Sequence, residues 1–279
     1  MGPCLFASDL HGRPDRYEKL FAAIRAESPV AVFLGGDLLP LGPAGQGFVE
    51  EVLAVGFERL REAREEAYPR VFAIFGNDDP RSEEPAMLEG AARGLWEYAH
   101  GRRLPLGEYR VYGYAYVPPT PFRLKDWERY DVSRYVDPGC VSPEEGVRSV
   151  PQPENETRWR TIEADLAEMT GGDDLERAIF LFHAPPYESN LDRAALDGRV
   201  VDHAPVDVHV GSVAIRRFIE SRQPLVTLHG HIHESARLTG SWQERIGRTL
   251  CFSAAHDGPE VALVWFDLED PDSAHRELA

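Results

Sequence analysis

Five short apolar runs in this chain stop at residues able to hold a metal ion. Leu5-Phe6-Ala7 leads into Asp9 and His11, and Val32-Phe33-Leu34 leads into Gly35-Gly36-Asp37. Val71 to Phe75 leads into Gly76-Asn77-Asp78-Asp79, and Ile179 to Phe182 leads into His183. Leu225 to Leu228 leads into His229-Gly230-His231-Ile232-His233. Apolar runs closed by turn-forming residues read as buried strands. Open α/β sheets bind their ligands just beyond the carboxyl ends of the strands. Five strand ends bearing Asp, Asn and His therefore imply one cluster, assembled from residues far apart in sequence.

Helical patterns lie between these runs. Tyr17, Leu20, Phe21 and Ile24 share one helical face, with Pro14 near its start. A second helix is expected over Phe48 to Tyr68, with Val49, Val52, Leu53 and Leu60 inward, and a third over about Pro85 to Tyr98. Alternation of strand and helix implies parallel pairing with helices covering the sheet. Further on, Glu156 to Met169 reads as a helix, Ser212 as the cap of a helix over Val213 to Ser221, and Thr249 to Asp267 as two strands.

The middle of the chain breaks this rhythm. Tyr109 to Val117 alternates with a period of two and reads as a strand. Pro118-Pro119-Thr120-Pro121 then opens a stretch rich in proline, arginine and aromatics. One domain over 1–279 is expected, with an aromatic and proline-rich insertion at about 105–155, where so long a loop is usually a functional cover or a mobile segment. Tyr112, Tyr114, Tyr116, Phe122, Trp127, Tyr130 and Tyr135 could stack on a nucleobase or aryl group. Arg123, Lys125, Arg129 and Arg134 could meet a distal phosphate. The competing reading of the aromatic alternation is sheet packing.

Composition narrows the partners. The 279 residues suffice for a full core, and 43% hydrophobic with 28% charged residues is ordinary for a globular protein. A net charge of −17 with no dense basic stripe disfavours long nucleic acid. It does not disfavour a small phosphorylated substrate, because bound metal ions reverse the local sign. No apolar stretch is long enough to span a bilayer, so no membrane partner is expected. The first residues lack the basic and long apolar regions of a leader. Cys4, Cys140 and Cys251 form no CxxC pair, which suits a reducing cytoplasm.

Asp9 and His11 offer a carboxylate and an imidazole from one loop. Asp37 follows two glycines that let the backbone turn sharply, so that its carboxylate can bridge two ions. Asn77 adds an amide oxygen, and His183, His231 and His233 add imidazoles. Hard oxygen with imidazole and no thiolate suits Mn, Fe, Zn or Co rather than Ca.

These residues resemble the calcineurin-like metallophosphoesterase family, whose pattern runs D-x-H, G-D, G-N-H-[DE], an isolated H, and G-H-x-H. Asp9 and His11, Gly36-Asp37, Gly76-Asn77, His183, and Gly230-His231-Ile232-His233 match in that order, across most of the chain. The resemblance implies a four-layer αββα sandwich with two mixed sheets packed face to face. It implies that Asp9, His11, Asp37 and His233 hold one metal, and that Asp37, Asn77, His183 and His231 hold the other. Asp37, Asn77 and His231 would serve catalysis directly. The expected cofactors are two divalent transition metal ions, manganese first. The expected reaction is in-line attack at phosphorus by hydroxide held between two ions about 3.5–4 Å apart, on a small phosphodiester or nucleotide-type substrate. A phosphomonoesterase and a metal-binding scaffold are the alternatives. A nuclease would want a basic cleft, which the charge does not support.

The pattern breaks at Asp78, where the family has a histidine thought to assist the leaving group. Beside two cations a carboxylate stays ionised and is a poor proton donor. Three options follow: the leaving group needs no proton, His209 or His256 substitutes, or Asp78 only positions. Asp78, His209 and Arg123 are the candidate substrate contacts. His209-Val210-Gly211-Ser212 precedes a helix and could touch a phosphate, against the plainer reading of a serine cap. His203 and His229 read as structural.

Overall fold

The computed structural model describes residues 2–64 and 67–279. The apolar runs form strands β1 (Cys4–Ala7), β2 (Ala31–Gly35) and β3 (Arg70–Ile74), with β4 (Glu97–Tyr98) beside β3, all parallel. Two strands from the end of the chain, β13 (Ala262–Phe266) and β14 (His275–Leu278), complete this sheet in the order β14-β13-β1-β2-β3-β4. The second sheet takes β5 (Arg102–Leu106), β6 (Tyr109–Tyr114), β7 (Ala178–Phe182), β10 (Val226–His229), β11 (Gln243–Ile246) and β12 (Thr249–Ser253), in the order β11-β12-β10-β7-β6-β5. Its central pairs β6–β7, β7–β10 and β10–β12 are parallel, and its edge pairs are antiparallel. A two-residue hairpin, β8 (Val200–Val201) and β9 (Ala204–Pro205), stands apart.

The sheets pack face to face. β2 meets β7, β3 meets β6, and Phe252 of β12 lies 5.7 Å from Phe266 of β13 between ring centres. Strands β1, β2 and β7 are buried at every residue, which explains their unbroken apolar runs. Helices cover the outer faces. α1 (Pro14–Glu27), α2 (Val55–Arg64) and α3 (Glu84–Ala92) flank the first sheet, where Phe57 packs on Phe21 and Trp96. α4 (Glu154–Arg158) is a short turn, while α5 (Ile162–Thr170) and α6 (Val213–Arg222) pair over the second sheet, where Phe218 meets Phe180. α7 (Ser235–Thr239) follows β10. The molecule is the four-layer αββα sandwich of two mixed sheets.

Several expected boundaries move. The helix over Phe48 to Tyr68 begins as a π-helical turn at Val49–Ala54 and continues as α2, with Glu65 and Glu66 outside the described residues. The third helix stops at Ala92, because Gly94 turns the chain at φ 75° and sends Glu97–Tyr98 into the sheet. The helix over Glu156 to Met169 is two helices. Thr161 is extended, its hydroxyl accepts from the Ala164 amide 3.1 Å away, and that cap starts α5 afresh.

The insertion expected at about 105–155 begins later, since β6 is sheet; the irregular segment runs 115–153 and is anchored along its length. Lys125 and Glu128 pair with both side chains fully buried. Arg129 bonds Asp165 and Glu156 and lies 3.9 Å from the Tyr116 ring centre. Asp126 accepts from the Arg81 and Ser149 amides at 2.9 and 3.0 Å.

Candidate metal centre

Every parallel strand that carries a donor points its carboxyl end to the same edge of the sandwich. Loops after β1, β2 and β3 bring Asp9, His11, Asp37 and Asn77 from the first sheet. Loops after β7 and β10 bring His183, His231 and His233 from the second. The loops bend sharply to do so. Among the described residues nine non-glycine positions have left-handed φ, and four of them are Asp9, His11, Asp37 and His231, at 56°, 48°, 51° and 74°. Such conformations cost roughly 1–3 kcal/mol each where disfavoured and gather at functional sites. Glycines clear the space. A Cβ on Gly76 would lie 2.3 Å from Asp37 Oδ1 and 2.6 Å from His183 Nε2, and one on Gly36 would lie 2.7 Å from His183 Nδ1.

Two groups of donor atoms result, each with all members within 4.8 Å of one another. One comprises Asp9, His11, Asp37 and His233, the other Asp37, His183 and His231. Asn77 Oδ1 joins the second group, 3.1 Å from His183 Nε2. His233 Nε2 sits 3.2 Å from both Asp9 Oδ1 and His11 Nε2. His183 Nε2 sits 3.3 Å from Asp37 Oδ2, and His11 Nε2 sits 4.0 Å from it. Ligand atoms bound at about 2.1 Å around one tetrahedral ion lie about 3.4 Å apart, so these spacings fit a shared ion in each group. His11 Nε2 and His233 Nε2 face each other at 3.2 Å, so both rings turn a nitrogen into the first group.

The protein's own charges point the same way. Burial pushes Asp9 and Asp37 up, but the neighbouring histidines hold both below the usual carboxylate range. Burial would lower His183, yet Asp37 and Asp9 raise it to about 10. His233 is likewise raised to about 9 by Asp9 against its own burial. Protonated imidazoles thus occupy the place of cations. Burial and His183 push His231 down to about 3, and burial lowers His11.

Second neighbours fix the donors. His183 Nδ1 donates to the Gly35 carbonyl at 2.8 Å, which leaves Nε2 for a metal. His231 N–H donates to Asp9 Oδ1 at 3.1 Å, and Asp78 N–H donates to Asp37 Oδ1 at 2.9 Å. Sequence reasoning missed two residues here. Asp79, fully buried, accepts from the Leu38, Leu39 and Gly76 amides at 3.1, 2.8 and 2.8 Å, tying the Asp37 loop to the Asn77 loop. Arg16 donates to the Asp9 carbonyl at 2.5 Å and to the Gly258 carbonyl at 2.7 Å. The only signals in the sequence were a second acid after Asn77 and an arginine in the helix turn after Asp9-Leu10-His11.

The other expected site residues fare differently. Asp78 lies at the centre, 3.8 Å from His11 Nδ1. Among the protein's own charges, burial and Asp37 push its carboxyl up to about 7. His209 Nδ1 is held by the buried Asp192 carboxylate at 2.8 Å, and His256 faces Glu260 at 3.2 Å. Arg123 is exposed, and no contact among the described residues joins it, His209 or His256 to the seven donors. The α6 start is not free for a phosphate, because Asp131 takes the Ser212 hydroxyl and the Val213 and Ala214 amides. His229 is structural, bonded to the Ala184 carbonyl and Thr227 hydroxyl at 2.8 Å each. The stacking platform is overturned for most of its members. Tyr112, Tyr114, Tyr116, Trp127 and Tyr130 are buried, with Tyr112 stacked on Phe180 at 4.6 Å, and only Phe122 and Tyr135 face solvent. Lys125 and Arg129 are consumed by internal ion pairs, and Arg134 bonds Glu144, so none of the three is free for a distal phosphate.

No helix among the described residues is long and apolar enough to cross a membrane. None of the curated proteins matches the chain. Among solved structures, one crystal structure aligns with 100% of this chain and 99% of its own at 18% identity, TM-score 0.63. TT1561 of Thermus thermophilus aligns over 99% of this chain and 98% of its own at 18% identity, TM-score 0.56. A dimetal phosphatase from Danio rerio aligns more loosely, over 95% and 91% at 14% identity, TM-score 0.49. The first two likenesses concern the fold. The family model for calcineurin-like phosphoesterases matches residues 2–235, a span that holds all seven donors. By that match, over a sandwich whose strand ends gather those donors at one edge, the chain belongs to the calcineurin-like phosphoesterase family, a family of phosphoester hydrolases.

Proposed function

We propose that the chain hydrolyses a small phosphodiester, including nucleotide-type diesters, with two divalent transition metal ions, manganese first. The observation that carries this reading is the position of Asp37. Its carboxylate belongs to both donor groups and is held from behind by the Asp78 amide. Asp9, His11, Asp37 and His233 would hold one ion, and Asp37, Asn77, His183 and His231 the other. When bound, the ions supply Lewis acidity, a water nucleophile ionised at neutral pH and a counter-charge for the phosphoryl oxygens. The residues' part is to fix that arrangement. The Gly35 carbonyl sets the His183 ring, and the Asp79 carboxylate locks the Asp37 loop to the Asn77 loop. Asp78, a quarter exposed, adds a carboxylate beside the donors. That charge disfavours a dianionic monoester more than a monoanionic diester. No imidazole follows Asn77 to protonate a leaving group, so substrates whose leaving group departs as an anion are favoured. The test is a screen of an aryl phosphodiester and the matching monoester with Mn, Fe, Zn and Co added separately. We expect Mn-dependent turnover with the diester ahead. Metal binding without turnover of any ester would replace this reading by that of a scaffold.

A further inference from the structure

In place of the family's histidine, Asp78 has two partners, and they belong to different halves of the centre. Its Oδ1 accepts from Asn77 Nδ2 at 3.0 Å. That bond orients the amide, so that Asn77 Oδ1 faces His183 Nε2 in the second donor group. Its Oδ2 lies 3.8 Å from His11 Nδ1, while the Nε2 of the same ring faces His233 in the first group. His11 Nδ1 is buried and without a hydrogen-bond partner, alone in this respect among the described donors of the centre. A ligating imidazole almost always donates its other N–H to a carboxylate, carbonyl or water. His183 has the Gly35 carbonyl for this purpose, and Asp78 is the carboxylate facing His11. A movement of about 0.9 Å brings that contact to the length of an ordinary bond. The Asp78 side chain is 25% exposed.

We infer that Asp78 is a positioning residue, a single carboxylate that orients one donor of each metal group, Asn77 through Oδ1 and His11 through Oδ2. The inference rests on the two-metal reading above. A histidine at this place has no pair of acceptor oxygens and cannot do both.

The experiment is calorimetric titration of the chelator-stripped full chain with Mn²⁺ alone, comparing wild type with Asp78→Ala and Asp78→Asn. Wild type should bind two equivalents. Asp78→Ala should weaken both equivalents by about 10–100-fold, the usual cost of losing a partner behind a ligand. Asp78→Asn, which keeps the shape but only one acceptor oxygen, should fall between, with the unfolding midpoint of its stripped form near that of wild type. Two equivalents bound by both variants with wild-type affinity would overturn the inference and leave the two-metal reading intact. Weakening of one equivalent only, in Asp78→Ala, would also overturn it. Failure of the wild type to bind Mn²⁺ would remove the centre and this role together.

Discussion

The strand-end loops and the 115–153 segment draw on similar residues and spend them in opposite ways. Both bury charges beside aromatics or imidazoles. In the segment Lys125 is answered by Glu128, Arg129 by Asp165, and Asp131 by the first amides of α6. At the loops the charges are left to one another, with carboxylates among imidazoles, His11 Nδ1 unpaired and backbone turned left-handed at four donors. Pairing of this kind marks a part that holds shape. Donors left to one another, sustained by the rest of the fold, mark the candidate metal centre.

The sharpest way to break this contrast is to remove one buried charge from each region. Asp37→Ala takes away the carboxylate common to both donor groups. Loss of several kcal/mol of transition-state stabilisation corresponds to a fall in kcat/KM of about 10⁴-fold, with the urea midpoint of the stripped protein little changed. Retained hydrolysis would contradict the shared role of Asp37. Lys125→Ala leaves Glu128 buried without its partner, a group that burial already pushes up to about 7 despite Lys125. We expect a loss of about 3–5 kcal/mol in stability, read by urea unfolding, with specific activity of the folded fraction unchanged.

A pH series sharpens the comparison with a smaller effect. In the stripped protein His183 and His233 are raised from 6.5 to about 10 and about 9, and Asp78 and Asp79 from 3.8 to about 7 and about 8. For all four the folded chain keeps protons that the unfolded chain has released, so stability falls as pH rises. The imidazole contribution is complete below 6.5 and is lost as pH passes about 9 and about 10. The melting temperature of stripped protein should therefore drop by several degrees over that window. The gain on adding Mn²⁺ should grow with pH, because the ions replace protons on the same nitrogens. A gain that shrinks with pH would place the ions elsewhere.

The runs ending at Asp9, Asp37, Asn77 and His183 were legible because their strands are buried on both faces, and an apolar run is then all the sequence needs to show. Edge strands were not legible. Gln243–Ile246 and His275–Leu278 are mostly polar because they face water, and they pair only once a buried neighbour exists. The aromatic segment misled for a related reason. The residues that claim it, Phe180 for Tyr112 and Asp165 for Arg129, lie tens of positions away, and nothing local distinguishes a ring awaiting a base from one awaiting a phenylalanine. Asp79 was hidden likewise, since its three amide partners are visible only when two loops meet.

The seven donors are drawn from both sheets, three strands of one and two of the other. Occupancy would therefore act as a rivet through the laminate. Sliding of one slab against the other would separate Asp37 from His183 before any strand came apart. With ions bound, shear resistance between the slabs and competence for hydrolysis would share those bonds, and a cell short of the right ion would have a looser molecule as well as an idle one.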